Sequence, residues 1–137
     1  MTAQECEVLY YKRKKTWMAS EPLNDYLESR EDIEFIPDST ACWRGYYGKW
    51  KIAQKKLYLI DLKAYIEGIE GMELVGIDYL FPGQVKVFAN WFTGEIRIPQ
   101  GEMIQYIHMG YESIYEGELI LNFKEGVVIE EQLISNL

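Results

Sequence analysis

The residues of this chain best suited to chemistry lie between positions 88 and 115. The segments Phe88 to Glu102 and His108 to Tyr115 contain the only histidine, one arginine, carboxylates and several aromatic rings. If Arg97 projects from the polar face of a strand and His108 returns beside it, the two cations hold an anion, with Trp91 or Tyr111 as a stacking wall. His108 also has the right ordinary pKa, about 6.5, for an acid or base near neutral pH. Trp91, Arg97, His108 and Tyr111 are therefore the candidate ligand-binding residues, and no catalytic residue is assigned. The competing reading makes His108 a hydrogen-bonded structural residue and Arg97 with Glu95 an exposed charge set.

Other catalytic patterns are missing from the sequence. There is no G-x-S-x-G elbow, no glycine-rich phosphate loop and no H-E-x-x-H. Cys6 and Cys42 are the only cysteines and form no C-x-x-C, which leaves too few ligands for structural zinc. No metal and no cofactor are expected. Glu67, Glu70, Asp78, Glu95 and Glu102 could include a glycosidase-like pair, but spacing alone pairs none of them.

Charge narrows the partners. Fourteen basic against 22 acidic residues give −8, which repels phosphate backbones and anionic lipid at long range, so nucleic acid is disfavoured and a basic protein partner is favoured. The distribution is uneven: residues 43–66 carry Arg44, Lys49, Lys51, Lys55, Lys56 and Lys63 against Asp61, interleaved with Trp43, Tyr46, Tyr47, Trp50 and Tyr58. Cations interleaved with rings suit single-stranded nucleic acid, although a strand pair with a solvated lysine face explains the same pattern. No apolar run approaches the roughly 18 residues of a membrane helix, and the first residues lack the order of a signal peptide, so a cytoplasmic protein with no membrane contact is expected.

The elements that must position these residues are mainly strands. The 137 residues fit one domain, and 15% aromatic content favours pleated, half-buried surfaces. Residues 7–11 and 16–19 flank Lys12-Arg13-Lys14-Lys15 as a hairpin. Ser20-Glu21-Pro22 resembles a capped helix start, which predicts a helix over 21–30. Residues 46–52 and 57–62 form a central hairpin, 63–72 fit either helix or loop, and 74–81 are strand-like. Val85, Phe88, Ala89 and Phe92 fall at helical spacing before Gly94, predicting a second helix over 84–92. Glu95 to Ile98 alternates cleanly, 103–109 should return antiparallel to it, and 118–123 with 127–129 close the chain. The expected fold is mainly β, with α+β character minor: an antiparallel meander of about seven to nine strands forming a sandwich or partly closed barrel.

Two resemblances follow from particular residues. Gly48-Lys49-Trp50 and Asp78-Tyr79 resemble the G-x-W and D-Y of lipocalin-like barrels, which implies a barrel holding an apolar small molecule, although 89 residues after Gly48 are few for eight strands. Cys42 to Trp50, Leu57-Tyr58-Leu59, Leu80 to Gly83, Trp91 to Gly101 and His108 to Tyr111 are similar to a group of small uncharacterised bacterial proteins that includes products of mobile gene cassettes such as those of integrons. That resemblance spans about residues 40–130 and implies a bacterial cytosolic setting and no site.

The favoured expectation is a non-catalytic binding or interaction domain that captures a protein partner or small ligand, with a homodimer as the expected assembly where an exposed sheet face pairs two subunits. The alternatives are a small hydrolase or isomerase using His108 with a carboxylate and Arg97, and the apolar-ligand barrel.

Overall fold

A computed structural model describes residues 7–18, 20–38, 42–105 and 114–136. Strands β1 (Glu7–Tyr11) and β2 (Lys14–Met18) form the opening hairpin. Helix α1 (Leu23–Leu27) follows, then the central hairpin of β3 (Tyr46–Ala53) and β4 (Lys56–Gly68). Next come β5 (Gly71–Val75), helix α2 (Ile77–Leu80) and the two-residue β6 (Val87–Phe88). The chain closes with β7 (Gly94–Gln105), β8 (Ile114–Lys124) and β9 (Val127–Ser135).

These strands form one nine-stranded sheet ordered β2-β1-β3-β4-β9-β8-β7, with β5 and β6 also pairing β4. The pairing is antiparallel except between β1 and β3, which run parallel, so the sheet is mixed rather than a pure meander. Its two halves meet at a single ladder pair, Lys56 with Val127, where Leu57 N–H donates to Gly126 O and Val128 N–H to Lys55 O. There the sheet folds over: β2 packs against β7, Ser20 Oγ donates to Glu95 O, and Tyr11 Oη donates to Glu131. The sheet is not closed into a barrel, because β2 and β7 make no ladder.

Period-two alternation fills the space between the halves. β3 buries Tyr46, Gly48, Trp50 and Ile52, and β4 buries Leu57, Leu59, Leu62 and Ala64. Opposite them lie Ile96 and Ile98 of β7 with Leu121 and Phe123 of β8. Each fully buried leucine or isoleucine contributes about 2 kcal/mol of transfer free energy.

Both helix predictions change. α1 occupies only Leu23–Leu27 of the expected 21–30, because the chain tightens at once: Ser29 and Arg30 N–H donate to the carbonyls three residues back. Ser20 bonds the Glu95 carbonyl instead of capping the helix. Residues 84–92 are not a helix. Val85 is exposed, Val87 and Ala89 are buried and Phe88 points outward, a strand pattern in which Val87 and Phe88 pair with Leu59 and Tyr58. The unpaired edge of β4 offers backbone partners that the local helical spacing could not reveal. The second helix is instead α2, within the segment expected to be strand, and the ambiguous 63–68 continues β4.

The join between β1 and β3 is built on a buried acid. Glu7, 1% exposed, accepts from Arg44 Nη2 at 2.8 Å and Gly48 N–H at 2.8 Å on Oε2, and from Trp50 Nε1 at 3.2 Å on Oε1. Burial pushes the Glu7 carboxyl above its ordinary value, and Arg44, the Gly48 N–H and the Trp50 N–H pull it back. A Cβ at position 48 would sit 2.4 Å from Glu7 Oε1 and 2.8 Å from Trp50 Nε1, so glycine is required there.

Glu7→Gln should lower stability by about 3 kcal/mol, because its NH2 cannot accept and Arg44 loses its counter-charge. Urea unfolding checks this. Adding Arg44→Met should recover part of the loss; single-change losses that simply add in the pair, or no loss from Glu7→Gln, would contradict the arrangement.

Candidate binding face

The sequence candidates separate. Arg97 stands on the outer side of β7 in an exposed ion-pair set, with Nε on Glu95 and Nη1 on Glu118 at 2.9 Å. The Glu95 hydrogen bond raises the Arg97 pKa above the ordinary arginine value. With two carboxylates on its guanidinium, Arg97 is neutralised by its own strands. Trp91 has other partners: its Nε1 donates to Pro22 O at 2.9 Å, its ring stacks on Phe81 at 5.6 Å, and Tyr26 lies 5.1 Å away. Arg97 and Trp91 therefore share no partner. His108 and Tyr111 lie outside the described residues.

The rings around Trp91 form a groove. Tyr26, Phe81, Val87, Phe88 and Trp91, with Gln84 and Asn90, line about 340 Å³ of open volume, at the lower end of the range for small-molecule sites. α1 supplies Tyr26, the segment after α2 supplies Phe81 and Gln84, and β6 with its following turn supplies Val87, Phe88, Asn90 and Trp91. Gly126 holds that turn close: its N–H donates to Phe92 O, and a Cβ there would meet Ala89 O at 2.5 Å.

Phe88 links the groove to the outer face of β2, β1, β3 and β4. The residues that do not face the core alternate outward here, and the register aligns them. One row reads Lys15, Tyr10, Lys51, Tyr58 and Phe88 across β2, β1, β3, β4 and β6. The next reads Trp17, Val8, Lys49 and Asp61, and a third pairs Tyr47 with Lys63. Lysines sit over these rings: Lys86 Nζ lies 4.1 Å from the Tyr58 centroid, Lys56 Nζ 5.5 Å from Phe88, and Lys63 Nζ 5.8 Å from both Tyr47 and Tyr65. Trp17 is half exposed.

The turns at one end of this face add more charge in a costly conformation. Lys12 and Arg13 have φ of 50° and 64°, and Gln54 and Lys55 have 51° and 65°. Asn-Gly is the low-strain choice for such two-residue turns, and each left-handed non-glycine residue costs on the order of 1 kcal/mol. Lys12 pairs with Glu131 at 3.8 Å, while Arg13, Lys14, Lys15, Lys51 and Lys55 have no acidic partner within 4.0 Å among the described residues. The acids concentrate elsewhere, including Glu95, Glu118 and Glu130 on the outer side of β7, β8 and β9.

Comparison with family models, curated proteins and solved structures finds no match. Among the described residues, no three His, Cys, Asp or Glu side chains gather as a metal site, and no helix is long and apolar enough to cross a membrane.

The interleaved rings and lysines of 43–66 were visible in the sequence. Tyr10, Lys15 and Trp17 joined them only through the parallel β1–β3 pairing, and Lys86 and Phe88 only through β6.

Arg97→Ala should change stability by less than about 1 kcal/mol, as for other exposed pairs, whereas Trp91→Ala should cost about 2 kcal/mol through its lost ring contacts and the Pro22 bond. Urea midpoints compare the two; equal losses would place Arg97 in the structural framework.

Proposed function

We propose that this chain is a non-catalytic binding domain whose ligand combines a planar group with negative charge. The observation that carries this reading is the shared position of Phe88. It lines the ring-walled groove, contacts Tyr58 at 5.8 Å, and lies beneath Lys56. A planar group entering the groove gains stacking on Phe88, Trp91 or Phe81, and its charge meets Lys56 and Lys86 at the rim.

The enzyme reading has less support, since Arg97 already holds two carboxylates. A barrel ligand site has less support as well, because the groove is open and the sheet is not closed. A basic protein partner is a second reading, favoured by Glu95, Glu118 and Glu130 on the outer side of β7, β8 and β9.

The probe 8-anilinonaphthalene-1-sulfonate carries both ring and charge. Its fluorescence should rise on binding, with affinity about tenfold weaker in Trp91→Ala and in Lys86→Glu, and unchanged in Leu133→Ser on β9. Lys86 is exposed, so Lys86→Glu should fold normally. Equal binding by wild type, Trp91→Ala and Lys86→Glu would overturn the assignment.

A further inference from the structure

We infer that the ligand of the outer face is single-stranded nucleic acid, an inference that rests on the binding-domain reading above and specifies its ligand. Length is the first constraint. The row Lys15, Tyr10, Lys51, Tyr58, Phe88 crosses five strands, about 19 Å at about 4.8 Å per strand, before it reaches the groove. A small anion occupies one end of such a row, whereas a polymer occupies all of it.

The chemistry of the row then selects the polymer. It interleaves cations with rings, so its complement carries repeating negative charge together with repeating planar faces. Single strands offer both, because their bases are free to stack on tyrosine and phenylalanine while phosphates meet lysines. A duplex keeps its base faces stacked inside, and an acidic peptide satisfies the lysines and leaves Tyr10, Tyr58 and Trp17 unused.

The overall −8 does not oppose this, because the field at short range belongs to the local charges. Five outward lysines, Lys15, Lys49, Lys51, Lys56 and Lys63, outnumber the acids of this face, which are Asp61, Glu67 at the far end of β4 and Asp38, which accepts from Tyr47 Oη at 2.7 Å; Lys86 adds a sixth cation over Tyr58. Lys56, Lys63 and Lys86 rest on rings rather than on carboxylates, a contact that an incoming base can exchange without stripping an ion pair. The basic turns at Arg13 and Lys55 extend the same charge past the end of the strands.

The test is fluorescence anisotropy with three labelled probes of about 15 units: oligo(dT), the dT·dA duplex and oligo-glutamate. Oligo(dT) should bind tightest, and raising salt from about 50 to about 200 mM should weaken it about 50-fold if about four phosphates are neutralised. Tyr10→Ala and Lys51→Glu, both at the surface, should each weaken oligo(dT) about tenfold, with circular dichroism reporting their folding, and Leu133→Ser should have no effect. Duplex or oligo-glutamate binding as tightly as oligo(dT) overturns the inference in favour of a simple polyanion or acidic partner. Absence of oligo(dT) binding while the anilinonaphthalene probe still binds overturns the polymer and leaves the groove reading standing; absence of both overturns the two together.

Discussion

The structure depends on one buried carboxylate. β1 meets β3 across a sequence separation of 41 residues, with no tight turn to set its register. Glu7 supplies the register chemically: two oxygens receive Gly48 N–H, Trp50 Nε1 and Arg44, and no side chain at position 48 competes for the space. A slip of one residue would turn Val8 and Tyr10 into the core and Glu7 out of it. The same contact therefore seats Trp50 within the core and aligns Tyr10 with Lys51 on the outside.

From this constraint the outer face follows. Parallel pairing brings the basic, ring-bearing hairpin of β1 and β2 beside the equally basic hairpin of β3 and β4. The two turns lie at the same end, each holding non-glycine residues in left-handed conformations. Strain of this kind is tolerated where surrounding structure enforces it, and here the ladders on both sides do so. An acidic protein thus acquires one cationic, aromatic surface, while its acids concentrate on other surfaces.

Much of the architecture was legible because period two is a strong local signal. Glu95 to Ile98, Tyr46 to Ile52 and the hairpin around Lys12-Arg13 all follow their alternation. The prediction at 84–92 failed where local spacing competed with a remote backbone edge, since Val87 and Phe88 pair with residues of β4 far back in the chain. For the candidate site, the sequence shows the Trp91 ring but not its surroundings, and it shows Glu95 beside Arg97 but not Glu118, 21 residues away, which also holds the guanidinium. The role of Glu7 has one signal in the sequence, an acid at an inward position of the apolar strand Glu-Val-Leu-Tyr-Tyr. Its partners, Arg44, Gly48 and Trp50, fall within one seven-residue stretch, but nothing local tells them to meet Glu7.

With the outward face aligned by Glu7 as the recognition surface, amide-resolved NMR titration with oligo(dT) should report binding residue by residue. Shifts are expected at Tyr10, Lys49, Lys51, Tyr58 and Phe88 and at the Trp91 indole N–H. Shifts confined to Glu95, Glu118 and Glu130 on the outer side of β7 to β9, or none at saturating oligonucleotide, would contradict that role for the face.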